Sequence, residues 1–186
     1  MNYREIEVRF LEIDKEELIK KLEELGAEDK GEYLLQERII YDNAMTWRDG
    51  AHKILRLRTC DGKTKLTYKH RTEITAEGTE EIEFEVDNAD AAEALLERLG
   101  YVAYRHQEKK RYTFHMGDVV VDIDTWPKIP TYVELEGPSE DALKTTANSL
   151  GLDWNSVELR SPRTVIEEVY GIPVGTMKWF TFHRFE

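Results

Sequence analysis

Near its start the chain reads YREIEVRFLEI, and Glu5, Glu7 and Arg9 alternate there with Ile6, Val8 and Phe10. A repeat of two is the side-chain period of a β-strand, so the charges share one face and the apolar groups the other. Comparable short runs recur along the chain. Together they predict strands over residues 4–11, 34–42, 53–59, 63–70, 79–87, 107–115, 118–125 and 131–137. CDGK at 60–63 and HMGDV at 115–119 supply hairpin turns. Three stretches change to helical spacing: DKEELIKKLEELG, DNADAAEALLERLG and PSEDALKTTANSLG, closing on Gly26, Gly100 and Gly151. A fourth helix, SPRTVIEEVYG, closes on Gly171. The last stretch, VGTMKWFTFHRFE, is rich in aromatic residues, which pack on the body or onto a second copy in a homodimer.

A weak internal repeat runs through this pattern. EIEV (5–8), LEELG (22–26) and QERIIY (36–41) are followed in the same order by EIEF (81–84), LERLG (96–100) and QEKKRYTF (107–114). Two strand–helix–strand units read as the halves of one sheet. The expected fold is α+β: an eight-stranded antiparallel closed β-barrel with amphipathic helices outside, because closure removes exposed strand edges. An open sheet with helices on one face is the alternative. A chain of 186 residues without a Pro/Ser-rich linker is expected to form one domain over 1–172, with 173–186 as a tail.

The charges are sorted by strand. Acids alternate in the first (Glu5, Glu7), fifth (Glu81, Glu83, Glu85), seventh (Asp122, Asp124) and eighth (Glu134, Glu136). Bases alternate in the third (Arg56, Arg58), fourth (Lys65, Lys69) and sixth (Lys109, Arg111). A solvated sheet face alternates too, but it has no reason to be sorted by sign. The opposite parity is apolar enough to need a cover, which the helices provide from outside. The charges then line a tunnel, where they must pair or bind ions. Carboxylates of the first, seventh and eighth strands form an oxygen-only set suited to Mg²⁺ or Mn²⁺. His52, His70, His106, His115 and His183 lack the spacing of zinc ligands. Arg56, Arg58, Lys65, Lys69 and Arg111 would grip phosphate oxygens, arginine by paired hydrogen bonds and lysine as a point charge.

Composition narrows the partners. The formal charge of −12 argues against a nucleic-acid binder. No run approaches the ~18 apolar residues of a membrane span, and no basic-then-apolar leader is present. A single cysteine, Cys60, excludes an internal disulfide and points to a cytoplasmic protein.

The ordered set of motifs resembles the CYTH superfamily, or triphosphate tunnel metalloenzymes, which includes class IV adenylyl cyclases, thiamine triphosphatases and inorganic triphosphatases. Its E-x-E-x-K signature is matched by Glu5-Ile6-Glu7-Val8-Arg9, and its R-x-R strand by Arg56-Leu57-Arg58. Lys65 and Lys69 match the lysine strand, and Glu81, Glu83 and Glu85 the next acidic strand. Arg111 matches the single arginine; Asp122, Asp124, Glu134 and Glu136 match the last acidic strands. The resemblance spans about residues 3 to 170. It implies a tunnel that binds a triphosphate-containing small molecule with one or two divalent metals. Glu5, Glu7, Glu134 and Glu136, with Asp122 or Asp124, would be metal ligands. Arg9, Arg56, Arg58, Lys65, Lys69 and Arg111 would hold phosphates, and Glu81 and Glu83 would support them. Glu5, Glu7 and Arg9 would form the catalytic signature.

Two departures shape the expected activity. Arg9 stands where the signature has lysine, and it cannot act as a general base near neutral pH. Leu55 stands where the resemblance would place the stacking tryptophan of thiamine triphosphatases, with Trp47 nearby in sequence. The expectation is a metal-dependent hydrolase of tripolyphosphate or a nucleoside triphosphate. The alternatives are an adenylyl cyclase making cyclic AMP and pyrophosphate, and a polyphosphate binder without catalysis.

Overall fold

The computed structural model describes residues 3–48, 53–71, 75 and 79–186, with the backbone alone for 3–5 and 79. Its strands are β1 (Tyr3–Glu5), β2 (Glu7–Phe10), β3 (Glu28–Asp42), β4 (Lys53–Cys60), β5 (Lys63–Arg71), β6 (Thr79–Val86), β7 (Tyr101–Met116), β8 (Val119–Thr125), β9 (Tyr132–Glu136) and β10 (Trp179–Phe180). The helices are α1 (Lys15–Glu24), α2 (Ala89–Arg98), α3 (Glu140–Leu150) and α4 (Pro162–Glu168). Strands pair in the order β1-β6-β5-β4-β3-β7-β8-β9-β2, with β10 added in parallel to β7. Counting 3–10 as one strand broken at Ile6 and leaving β10 aside, this is an α+β fold with eight antiparallel strands in one curled sheet. Its two end positions belong to successive stretches of the N-terminal segment: β1 pairs with β6 and β2 with β9.

Two strands begin well before their expected starts, β3 at Glu28 rather than 34 and β7 at Tyr101 rather than 107. The polar run EDKGEY has no apolar parity to announce a strand. It becomes one because β3 and β7 pair along their length, from Glu28↔His115 to Asp42↔Tyr101, with two register shifts. This pairing also explains the repeat. Gln36 and Glu37 correspond to Gln107 and Glu108, and the observed partners are Gln36↔Glu108 and Glu37↔Gln107. A two-fold axis between β3 and β7 requires that register. The fourth expected helix stops at Glu168, short of Gly171.

The helices begin on the caps their sequences offer. Asp14, Asn88, Ser139 and Ser161 each accept a backbone N–H of the first turn. α3 ends on Gly151 at φ +75, a conformation that costs a side chain but not glycine. Leu18 and Leu22 of α1 and Leu143 and Ala147 of α3 close over Val8, Phe10, Val121, Val133 and Leu135. A side chain as fully buried as Leu22 contributes about 1.5–3 kcal/mol. α2 covers Ile40, Leu55 and Leu57 in the other half.

The halves differ in one respect. Val8 is 1% exposed beneath α3, whereas its repeat counterpart Phe84 is 54% exposed. Ile82, Leu95 and Leu99 are exposed as well. The aromatic tail packs on its own chain: Val174, Met177 and Phe180 join Trp126, Tyr132 and Ile166 in a third cluster. Among the described residues no helix is long and apolar enough to cross a membrane.

Candidate active site

Alternation carries the charged parity inward. Glu7, Arg9, Lys109, Arg111, Asp122, Asp124 and Glu134 are all buried, while Val8, Phe10, Val121, Val133 and Leu135 face the outer helices. The inward groups surround a cavity of about 830 Å³. Eleven of its lining residues are Lys or Arg and eight are Glu, a surplus of three positive charges in a chain of net −12. The interior therefore has the opposite sign to the molecule.

Strand order sets acids beside bases. Arg56 and Arg58 of β4 lie opposite Thr67 and Lys65 of β5, and Thr67 and Lys69 lie opposite Glu83 and Glu81 of β6. Lys69 Nζ is 3.1 Å from Glu81 Oε2. Lys65 Nζ donates to Glu83 Oε1 at 2.7 Å. Arg58 Nε donates to Glu37 Oε1 at 2.7 Å, and Arg56 Nη1 lies 3.3 Å from the same oxygen. Arg56 Nε is buried with no hydrogen-bond partner. Burial lowers the Arg56 pKa and the neighbouring Arg58 charge adds to this, so it is a cation short of counter-charge.

In the other half Arg111 is the hub. Its Nε and Nη2 donate to the two oxygens of Asp124 at 2.7 Å each, its Nη1 lies 2.5 Å from Asp122 Oδ2, and its Nη2 donates to Glu134 Oε1 at 3.2 Å. Lys109 Nζ donates to Asp124 Oδ2 at 2.6 Å. Burial pushes the Lys109 ammonium down to about 8, and the Arg111 charge acts in the same direction. Arg9 joins two further acids: its Nη2 donates to Glu7 Oε1 at 2.5 Å and its Nε is 2.8 Å from Glu134 Oε2. That second contact is an ion pair without hydrogen-bond geometry. Burial alone would raise the Glu7 and Glu134 carboxyls; the cations around them, Arg9 first, with Lys69 at Glu7 and Arg111, Lys109 and Lys69 at Glu134, together more than reverse this.

Glu136 differs from these acids. It makes no ion pair or hydrogen bond among the described residues, although it lies opposite Glu7 in the β2–β9 register. Burial pushes its carboxyl up to about 7; Lys69 pulls the other way, and the charges of Glu134, Glu7 and Glu81 reinforce the rise. An oxygen donor crowded by three like charges, with no cation of its own, fits a hard divalent ion. Among the described residues, no three Asp, Glu, His or Cys are gathered closely enough to form a finished ligand shell. Arg9 meanwhile occupies oxygens of Glu7 and Glu134.

A pH dependence follows for the metal-free protein. Glu136 titrates at 4.5 when unperturbed and at about 7 here, so the folded state binds this proton more tightly. The stability it contributes is complete below about pH 4.5 and is lost as pH rises to 7, at most about 3 kcal/mol. Glu7, Glu37 and Glu134 are shifted downward, so their contributions are constant between pH 5 and 8. Urea unfolding in EDTA is expected to show stability falling between pH 5 and 8, and Glu136→Gln to flatten the decline.

Of the residues expected from sequence, Glu7, Arg9, Arg56, Arg58, Lys69, Arg111, Glu81, Glu83, Glu134 and Glu136 line the cavity. Asp122, Asp124 and Lys65 are not among its lining residues. Asp124 is 0% exposed and taken by Arg111 and Lys109, Asp122 is held by Arg111 and Thr113, and Lys65 is exposed at the hairpin end. The side chain of Glu5 and all of His52 lie outside the described residues.

Several cavity residues escaped the sequence reading. Glu37 is a lone charge on a β3 parity otherwise occupied by Leu35, Ile39 and Tyr41, so alternation gave no signal. Arg105 and Gln107 share the inward parity of Lys109 and Arg111, and an earlier start for that strand would have revealed Arg105. Trp47 and Ile54 line the cavity together with Ile166 of α4 and Val174. The segment leading into α4 is tied to the sheet. Arg9 Nη1 donates to the Arg160 carbonyl at 3.1 Å, Arg71 donates to the Leu159 carbonyl, and Arg163 Nη1 donates to the Arg48 carbonyl at 2.5 Å.

Known structures share this architecture. The PH1012 protein from Pyrococcus horikoshii OT3 is 26% identical, with 84% of this chain and 96% of that one covered at a TM-score of 0.73. A candidate adenylate cyclase from Vibrio parahaemolyticus is 18% identical over 90% and 99%, at a TM-score of 0.76. The candidate adenylyl cyclase HpAC1 from Hippeastrum, described as having a dominant triphosphatase activity, is 17% identical over 89% and 96%, at a TM-score of 0.62. No curated protein matches the sequence. The CYTH domain profile matches residues 3–165. With nearly the whole chain inside that match, this protein belongs to the CYTH family.

Proposed function

We propose that this chain is a divalent-metal-dependent enzyme that hydrolyses the triphosphate group of tripolyphosphate or a nucleoside triphosphate inside a closed β-tunnel. The pairing of 3–10 with both β6 and β9 supports closure. The observation that carries the reading is a pair of incompletely satisfied charged groups in one cavity: Arg56, whose Nε is buried without a partner although its Nη1 lies 3.3 Å from Glu37, and Glu136, which makes no ion pair among the described residues. A phosphate oxygen satisfies the first and a metal ion the second.

In this reading Arg56, Arg58 and Lys69 grip the phosphate chain, and Arg111 holds the acidic side of the tunnel in place. Glu136, Glu7 and Glu134 would hold Mg²⁺ or Mn²⁺, which when bound neutralises the charge that develops on phosphate oxygens. Arg9 remains protonated between Glu7 and Glu134 and so serves as a fixed counter-charge, not a base. A water held by the tunnel carboxylates attacks the terminal phosphorus in line and gives its proton to one of them, the bridging P–O bond breaks, and the arginines stabilise the leaving diphosphate. Such chemistry depends on positioning and electrostatics. Residues 1–172 would form this unit and 173–186 would buttress it, in a cytoplasmic protein.

Adenylyl cyclisation is the second reading. It is favoured by the candidate cyclase from Vibrio and by Trp47 and Ile54, which make part of the cavity wall able to accept a base. A panel of tripolyphosphate, ATP, GTP and thiamine triphosphate with Mg²⁺ and Mn²⁺, read by product, separates the cases. Orthophosphate with a diphosphate is the expected result. Cyclic AMP with pyrophosphate identifies a cyclase, tight binding without turnover identifies a binder, and neither binding nor turnover overturns the proposal.

A further inference from the structure

Resting on the reading of this cavity as a triphosphate site, we propose that Glu37 is a positioning residue that sets Arg58 and Arg56 for phosphate, with Gln107 holding Glu37 in turn. Glu37 is 3% exposed, and protein groups occupy both of its oxygens. Oε1 accepts Arg58 Nε at 2.7 Å and lies 3.3 Å from Arg56 Nη1, while Oε2 accepts Gln107 Nε2 at 2.5 Å. The Gln107 amide cannot turn over freely, because its Oε1 accepts Arg105 Nε at 2.8 Å. Arg105 is fixed by Nη1 bonds to the Tyr41 hydroxyl at 3.1 Å and the Val174 carbonyl at 2.9 Å. The relay therefore runs from the C-terminal segment through Arg105, Gln107 and Glu37 to the arginines of β4.

The geometry separates Glu37 from the metal-type acids. The charges acting on it are those of Arg58, Arg56 and Lys109, and the carboxyl is held well below its usual range although burial alone would raise it. Glu136, by contrast, is crowded by carboxylates. Among the described residues the bond to Glu37 is the one hydrogen bond Arg58 makes, and it uses Nε. Among the described residues the paired Nη groups make no hydrogen bond, and Arg58 lines the cavity, an arrangement that leaves them available for a two-oxygen grip on phosphate.

The sign of one effect tells positioning from simple charge balance. Removing a carboxylate from a cationic site strengthens polyanion binding if the carboxylate is only a counter-charge. If it orients the arginines, binding weakens despite the added positive charge. In Glu37→Gln the new amide N–H faces either the Gln107 amide N–H or the Arg58 Nε–H, and Arg105 prevents Gln107 from flipping to relieve it. The double variant Glu37→Gln with Gln107→Glu restores every donor–acceptor pair and the net charge.

Calorimetric titration with tripolyphosphate at two salt concentrations, alongside kcat and KM, tests this. The dissociation constant and KM of Glu37→Gln are expected to rise about tenfold or more, with kcat changed much less, and the double variant is expected to return within about threefold of the parent. Equal or tighter binding by a folded Glu37→Gln overturns the proposal, as does a folded double variant that stays weak. If Glu37→Gln alone does not fold, the double variant decides by the same criterion. Failure of the parent protein to bind tripolyphosphate overturns the site reading itself, an outcome distinct from the others.

Discussion

Glu136→Ala is expected to abolish turnover, by about a thousandfold or more, and to weaken Mn²⁺ binding while making the metal-free protein more stable near pH 7. The two directions come from one cause. Glu136 lies opposite Glu7 in the β2–β9 register; burial raises its pKa, and the charges of Glu134, Glu7 and Glu81 add to the rise. Ionised and without metal it is a liability, so deleting it relieves repulsion. With metal it is, among the described residues, the cavity carboxylate that has no ion pair to give up first. Losing about 4 kcal/mol of charge stabilisation in the transition state corresponds to roughly three powers of ten in rate. Phosphate-release kinetics, Mn²⁺ titration and urea unfolding at pH 7.5 without metal test the three parts. A variant that keeps turnover and Mn²⁺ affinity removes Glu136 from the metal site. A variant that loses turnover and stability together makes it a structural residue instead.

Arg111→Ala is expected to destabilise the fold by about 3–5 kcal/mol, because it leaves buried carboxylates without their partner. The guanidinium contacts Asp122, Asp124 and Glu134, which are 5%, 0% and 7% exposed, so none of them is solvated enough to do without it. Lys109 still pairs with Asp124, but its single ammonium cannot reproduce the two-oxygen grip. Arg111→Lys should therefore fall between the parent and Arg111→Ala. For a chain of this length the larger loss corresponds to a melting temperature lower by roughly 10–20 °C. Urea and thermal unfolding measure it, and a change below about 1 kcal/mol would show that these acids are protonated or solvated in the folded protein.

Arg111 also shows where sequence reading stops. Its parity on β7 gave its direction, and the sorted acids of β8 and β9 gave it partners of the right sign. Both are local facts, because a strand alternates whatever its neighbours are. Depth is not local. Asp122 and Asp124 share a face with each other and a pattern with Glu134 and Glu136, yet the first two lie outside the cavity lining and the last two within it. What separates them is the placement of Arg111 and Lys109 across the β7–β8 ladder. Glu37 is the converse case, a lone acid on an apolar parity that matters because β4 and β7 bring Arg58 and Gln107 to its two oxygens. The early starts of β3 and β7 have the same origin, since each run forms a strand only because the other is there to receive its hydrogen bonds.

By itself the sequence determined that this chain makes strands with charged faces sorted by sign, that helices cover the apolar faces, and that the charges include the E-x-E and R-x-R pairs of a family. Those properties follow from side-chain periods of two and 3.6, which are carried within a few neighbouring residues. The tertiary structure alone decided which acids keep a free oxygen, which are neutralised by arginine, and that the segment 161–168 lies at the cavity. Each of those depends on distances between groups far apart in the chain, and charges in a low-dielectric interior respond to such distances steeply.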